Sequence, residues 1–79
     1  DEIDVEELLE KRPDLRFEDR EVIRFLAEAG GEAFASEIRD RFNIPRTSAW
    51  RLIKRLEREG LVEVRKVGGH SLVRLRRME

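Results

Sequence analysis

The stretch RTSAWRLIKRLEREG, residues 46–60, constrains the fold more than any other part of the chain. At about 100° per residue, its aliphatic side chains fall within about 60° of Ala49, a pattern typical of an amphipathic helix with one buried stripe. The predicted stripe comprises Ala49, Leu52, Ile53 and Leu56. Gly60 is predicted to end the helix, with Leu61 contacting Leu56 in a Schellman-type stop. With 79 residues, the chain makes one small domain, in which every element must contribute to the core.

One helix and a brief strand are predicted upstream. The segment FEDREVIRFLAEAGG, residues 17–31, has apolar side chains at 3.6-residue spacing, and Gly30 is a natural helix stop. The apolar face of this helix comprises Val22, Ile23, Leu26 and Ala29. Residues 33–35, with the sequence AFA, are predicted to form the strand.

A second helix is predicted to follow the strand. Ser36 is a favourable N-cap, and Ile38 and Phe42 form an apolar i, i+4 pair. Asn43 tolerates the left-handed conformation that a tight turn between helices requires. Pro45 then lies at or beside the first position of the helix at 46–59.

Two segments of alternating polarity follow that third helix. LVEVRKV at 61–67 and SLVRLRR at 71–77 are separated by Gly68, Gly69 and His70. A Gly-Gly pair between two such runs predicts a β-hairpin, because primed turns need positive φ angles. His70 is interpreted as a residue of the turn.

The predicted order of helix, brief strand, helix, turn, helix and hairpin is that of a winged helix. The expected fold class is therefore α+β, mainly α, with a three-helix core, a β-hairpin wing and a short N-terminal helix. We expect residues 1–16 to form an acidic N-terminal helical segment and residues 17–79 the winged-helix domain.

The N-terminal helix has Asp4 as its predicted cap and Pro13 as its end. Its apolar stripe comprises Val5, Leu8 and Leu9. We expect this stripe to dock on the domain or on a second subunit in a homodimer.

The net charge of −1 conceals a strong asymmetry. Residues 1–21 carry ten acidic and four basic side chains, whereas residues 39–79 carry five acidic and twelve basic ones. A polyanion responds to the local field, so the basic C-terminal half is the half expected to bind double-stranded DNA.

The exposed face of the third helix is expected to contact that DNA. Short side chains at a helix N-terminus allow close approach to bases and phosphates, and cations on the same face supply further contacts. The predicted contacts in this helix are Arg46, Thr47, Ser48, Arg51, Lys54 and Arg58. The predicted contacts in the hairpin, along the adjacent minor groove, are Arg65, Lys66, His70 and Arg74.

A structural interpretation stands beside the functional one. A run of charge on a helix is usually a solvated face, and Arg55 and Glu59 can form an ordinary i, i+4 pair. Trp50 lies about 100° from Ala49, on the flank of the helix. It is a candidate DNA contact, but packing against the wing or the N-terminal segment is favoured. We predict a partly buried ring that shields Arg51 from water.

The segment SEIRDRFNIPRTSAWRLIKRLEREGLVEVRKVGGHSLVRL resembles the winged helix-turn-helix of MarR-like transcriptional regulators, particularly compact archaeal ones. The resemblance covers roughly residues 18–76, and its most specific part is LIKRLEREGLVEV. It implies that residues 46–59 form the recognition helix and residues 65–74 the wing. Trp50 departs from the family pattern, in which a small polar residue is usual at this position.

Other classes of function find little support. The chain has no cysteine, no tyrosine and one histidine, so we predict no enzyme, no metal site and no cofactor. No apolar run approaches the roughly 20 residues that span a membrane, and a cytoplasmic protein is expected. One rival is a winged helix that binds protein; another is an accessory module of a larger machine such as a replicative helicase.

Overall fold

The computed structural model describes residues 5–76, which form four α-helices and one three-stranded antiparallel sheet. In chain order the elements are α1 (Val5–Glu10), α2 (Phe17–Glu28), β1 (Glu32–Phe34), α3 (Ala35–Phe42), α4 (Arg46–Arg58), β2 (Val62–Val67) and β3 (His70–Leu75). This order confirms the predicted winged helix.

The end of α4 confirms the predicted Schellman-type stop. Gly60 has a φ of 78°, and the Leu61 N–H donates to the Leu56 carbonyl oxygen at 3.0 Å. The Gly60 N–H donates to the Glu57 carbonyl oxygen at the same distance. These two bonds satisfy the last carbonyls of the helix and direct the chain straight into β2.

The start of α3 differs from the prediction, whereas the turn after it agrees. The helix begins at Ala35, so Ser36 lies inside the first turn and is not the N-cap. The Glu37 carboxylate accepts a hydrogen bond from the Phe34 N–H at 2.7 Å and serves the helix start instead. Asn43 has the predicted left-handed conformation, with φ 51° and ψ 50°.

The hairpin turn consists of Gly68 and Gly69 alone. Their φ angles are 56° and 81°, as a primed two-residue turn requires. His70 is therefore the first residue of β3, where it pairs with Val67, and its assignment to the turn was wrong. β1 pairs with the other edge of β3, so the sheet order is β1-β3-β2.

The core lies between the helices and one face of the sheet. The predicted stripe of α4 is buried, and Val22, Ile23 and Leu26 of α2 are as well. Ala29 is exposed because it caps α2 and does not continue its apolar face.

The N-terminal helix belongs to the same core. Leu8 is 4% exposed and Leu9 2%, and both join Leu15 in the central hydrophobic cluster. This stripe therefore docks on the domain itself, which leaves it unavailable to a second subunit. The predicted cap Asp4 lies outside the described residues.

A buried ion pair joins α2 to α4. The Arg55 Nη2 donates to the Asp19 Oδ1 at 2.6 Å, and Asp19 is 3% exposed. Arg55 therefore does not pair with Glu59, which instead pairs with Arg12. The Asp19 carboxylate also accepts a hydrogen bond from the Arg16 N–H, so it serves both the start of α2 and the docking of α4.

Candidate nucleic-acid interface

The outer side of α4 presents a continuous polar surface. We call it the recognition face, and it comprises Thr47, Arg51, Lys54 and Arg58, all of which are exposed. The opposite stripe is anchored in the core, where Ile53 and Leu56 are fully buried. This anchoring holds the helix rigidly while its cationic side chains point to solvent.

The cations of this surface differ from others in their ionic partners. Within residues 5–76, Arg46, Arg51 and Arg58 take part in no ion pair, whereas Arg12 and Arg24 are each held by two carboxylates. The Glu6 carboxylate, which makes the largest contribution, raises the pKa of Arg24 above its ordinary value through a hydrogen bond. Carboxylates thus neutralise Arg12, between α1 and α2, and Arg24 on α2, whereas Arg46, Arg51 and Arg58 of α4 have no ion pair among the described residues.

Lys54 is the exception on the recognition face. Its Nζ lies 2.6 Å from the Glu57 Oε1, one turn further along α4. The same Nζ lies 5.4 Å from the centroid of the Trp50 ring, a cation–π distance.

The wing, residues 65–74, divides its predicted contacts between two faces of the sheet. Lys66 follows Val62 and Val64 at period 2 and shares their face, which is turned towards α4. Arg65 and Arg74 lie on the outer face, where the Arg74 Nε is 3.8 Å from the Glu32 Oε1. Arg74 is also the register partner of Glu63, so two carboxylates flank it.

A cleft of about 360 Å³ separates α4 from the wing, and we call it the wing-side cleft. It brings together four predicted contacts, namely Arg46, Trp50, Lys66 and His70. Its other lining residues are Phe34, Ala35, Ser36, Arg39, Ala49, Gly69 and Ser71. The His70 ring also makes an edge contact with the Phe34 ring at 6.0 Å between centroids.

Trp50 lines this cleft but is an exposed side chain, with 42% of its surface accessible to solvent. The other residues that line this cleft belong to β1, α3, α4 and the wing, and none belongs to the N-terminal segment. The predicted shielding of Arg51 was wrong, because Arg51 is exposed and lines a different depression.

That second depression lies on the other flank of α4, against α2 and the end of α3. It is about 270 Å³ in volume and contains two predicted contacts, Ser48 and Arg51. Its apolar floor includes Val22, Phe42, Ile44 and Leu52, and Arg16 and Arg55 stand beside it. The predicted contacts on α4 therefore form a ridge, with the wing-side cleft on one side and this depression on the other.

Residues 14–71 match the family model described as MarR family, which covers most of the chain. The chain belongs to the MarR family. Its members are winged helix-turn-helix, DNA-binding transcriptional regulators and not enzymes, which confirms both the resemblance and the prediction of a non-enzymatic protein. Searches among curated proteins and among solved structures found no significant match.

The match to the MarR family begins before residue 17, and the division of the chain at residue 16 stays a prediction. Among residues 5–76, no helix is long and apolar enough to cross a membrane, and no cluster of His, Cys, Asp or Glu has the arrangement of a metal site.

Three residues of the MarR domain join the wing-side cleft although sequence reasoning missed them, namely Ser36, Arg39 and Ser71. Their neighbourhood depends on the docking of α3 against α4 and on the pairing of β1 with β3. One local signal existed for Ser71, since it lies opposite Lys66 once the two-residue turn sets the register.

Proposed function

We propose that this MarR-family chain is a sequence-specific regulator that binds double-stranded DNA with α4 in the major groove. In this arrangement the wing lies on the adjacent minor groove or the sugar–phosphate backbone. The observation that carries the proposal is the recognition face, whose arginines have no ionic partner within the described residues although the rest of the chain supplies many carboxylates.

The position of each residue suggests its role in the groove. Arg51 stands about one turn into α4, where its guanidinium is suited to a bidentate contact with guanine. Thr47 and Ser48 in the first turn offer hydroxyls to phosphate oxygens. Lys54 and Arg58 lie further along the helix, where contacts with the backbone are favoured.

The wing contributes through the face that it turns to α4. Lys66 is exposed, has no ion pair among residues 5–76 and faces the recognition helix, so we assign it a phosphate contact. Arg65, on the outer face of the sheet, and His70, the first residue of β3, are proposed to contact the backbone near the hairpin tip. Arg74 is the weakest member of the proposed site, because Glu32 and Glu63 compete with phosphate for its guanidinium.

We further propose that the regulator acts as a homodimer on two-fold symmetric half-sites. Its interface must lie outside the stripe of Leu8 and Leu9, which the core of each protomer already occupies. Equilibrium sedimentation tests this directly, and a monomer at concentrations that saturate DNA contradicts it.

Fluorescence anisotropy on duplex DNA over a salt series tests the DNA proposal before any preferred sequence is known. If each subunit neutralises about four to six phosphates, log K falls against log salt with a slope of about −0.9 for each contact. Absence of binding at low salt, or a flat salt dependence, rejects DNA binding and supports the protein-interaction rival.

Three variants then distinguish base-specific contacts from non-specific electrostatic binding to phosphates. Arg51→Ala should lose about 1–3 kcal/mol on a preferred sequence and little on random DNA. Lys66→Ala should weaken both alike and make the salt slope shallower by about one contact. Arg24→Ala is the matched control, since it removes the same charge from α2, where Glu6 and Glu21 already neutralise it. Equal, sequence-independent losses from Arg51→Ala and Lys66→Ala would show that Arg51 reads no base.

A further inference from the structure

The wing-side cleft has the composition of a site for one nucleotide. Cations from three separate elements line it: Arg39 of α3, Arg46 of α4 and Lys66 of β2. No acidic side chain is among the lining residues that the structure describes. Arg39 is paired with Asp40 at 3.5 Å, so Arg46 and Lys66 are the cations of the cleft that have no ion pair among the described residues, and their charge favours phosphate.

Trp50 gives the same cleft an aromatic wall. Its ring is 42% exposed, and it is one of only three large hydrophobic residues exposed among residues 5–76. Lys54 lies over the ring but is not a lining residue of the cleft, and no other cation among the described residues lies over the ring. Flat aromatic surfaces beside cations are how proteins hold unpaired bases, with the ring stacked on the base.

Paired bases cannot use this wall. Inside a duplex both faces of each base are covered by neighbouring bases, so only a base outside the stack can lie against Trp50. The hydroxyls of Ser36 and Ser71 line the cleft and can bond the polar edge of such a base. The volume of about 360 Å³ lies at the small end of the range for ligand sites.

We propose that the wing-side cleft binds a single nucleotide whose base is unpaired. The base stacks on Trp50, and the phosphate contacts Arg46 and Lys66 across the cleft. An unpaired nucleotide within bound DNA and a free mononucleotide offer the same chemistry. The inference rests on the proposed function, because the cleft adjoins the recognition face. Duplex DNA and the unpaired nucleotide would both use the cations Arg46 and Lys66.

The test uses the full chain and three DNAs of one sequence. The first is a perfect duplex, the second has one extra unpaired adenine, and the third replaces that adenine with an abasic nucleotide. We expect the unpaired adenine to strengthen binding about tenfold over the perfect duplex, the effect of one stacked base. The abasic DNA keeps the phosphate and the bend but lacks the base, so it should bind like the perfect duplex.

Two variants assign the gain to the ring. Trp50→Leu should reduce the affinity ratio of bulged to perfect duplex to about one, and Trp50→Phe should restore part of it because a smaller ring still stacks. Arg58→Ala, on the recognition face away from the cleft, is the control and should weaken all three DNAs alike. If circular dichroism shows that the Trp50→Leu variant does not fold, stacking is measured with the unaltered protein. In that experiment 2-aminopurine replaces the unpaired adenine, and stacking on Trp50 lowers the fluorescence of the 2-aminopurine.

Titration with adenosine monophosphate distinguishes the two sources of nucleotide. Saturable quenching of Trp50 by the mononucleotide, with no gain from the bulge, assigns the cleft to a free nucleotide. If the protein binds all three DNAs with equal affinity and the mononucleotide does not quench Trp50, the proposed nucleotide site is rejected. The proposed function is unaffected by that result. An equal gain from adenine and abasic bulges also rejects the nucleotide site, because bending alone then explains the effect. Loss of all duplex binding rejects the proposed function, and the mononucleotide titration then decides the cleft separately.

Discussion

Replacing Asp19 with alanine tests how the recognition helix is held in place. The Asp19 carboxylate is 3% exposed and accepts the Arg55 Nη2 of α4 at 2.6 Å. Its hydrogen bond is the main cause that raises the pKa of Arg55 above the ordinary value, against the opposing effect of desolvation. The Arg55 Nε is buried without a hydrogen-bond partner among the described residues, and Glu18 and Glu59 act on Arg55 through their charge and not through a hydrogen bond.

The magnitude follows from the burial of the two partners. Removing one partner of a fully buried ion pair costs about 3–5 kcal/mol, because the remaining charge is left uncompensated. The Arg55 side chain keeps 25% exposure, so water can solvate part of its charge after Asp19 is removed. We therefore expect Asp19→Ala to lower the free energy of unfolding by about 2–3 kcal/mol. For a domain of this size that is a large share of the total, and it corresponds to a fall in Tm of roughly 10–20 °C.

Urea unfolding of a double-mutant cycle measures the pair itself. With Asp19→Ala, Arg55→Ala and the double variant, we expect a coupling energy of about 1.5–3 kcal/mol. The matched control is Arg24→Ala, which breaks exposed pairs with Glu6 and Glu21 and should lower the free energy of unfolding far less than Asp19→Ala. A coupling energy for Asp19 and Arg55 as small as that of exposed pairs refutes the reasoning, since burial would then add nothing.

Three further perturbations test the fold around the interface. Leu9→Ala should destabilise the chain by about 2–5 kcal/mol in urea unfolding, because it empties a position in the core; a loss below 1 kcal/mol would place α1 outside it. Gly69→Ala should lower Tm, because alanine at a positive φ is strained by about 1–2 kcal/mol. Gly68→Asn should change Tm little, because asparagine fits a primed turn. Equal shifts in Tm from the two variants would contradict a primed turn. NMR titration of the Asp14 carboxyl should give a pKa below the ordinary aspartate value, because the Arg12 guanidinium donates to it. Because the pKa of Asp14 is lower in the folded state, this contact stabilises the fold at pH values above the ordinary aspartate pKa. The stabilisation is lost as the pH falls through the lowered pKa. A titration midpoint at the ordinary aspartate pKa would show that the contact does not form.

Local sequence determined the framework of the molecule. The buried stripe of α4, its stop at Gly60 and the hairpin turn at Gly68 and Gly69 were all predicted correctly. Each depends on neighbours within a few residues, through helical periodicity or through a backbone angle that glycine adopts without strain. The exposed recognition face follows from the same periodicity, because the side opposite a buried stripe must face solvent.

Tertiary structure alone decided which charges were neutralised and which side chains met. Arg55 has an acidic residue four positions away, yet it pairs with Asp19, which is 36 residues distant. The pairing of β1 with β3 places Glu32 beside Arg74, while strand register turns Lys66 towards α4. Periodicity states which face of an element is polar, but the angle and register at which two elements dock determine the contacts across that face. The docking of α3, α4 and the wing around Trp50 therefore emerges only when the chain is folded.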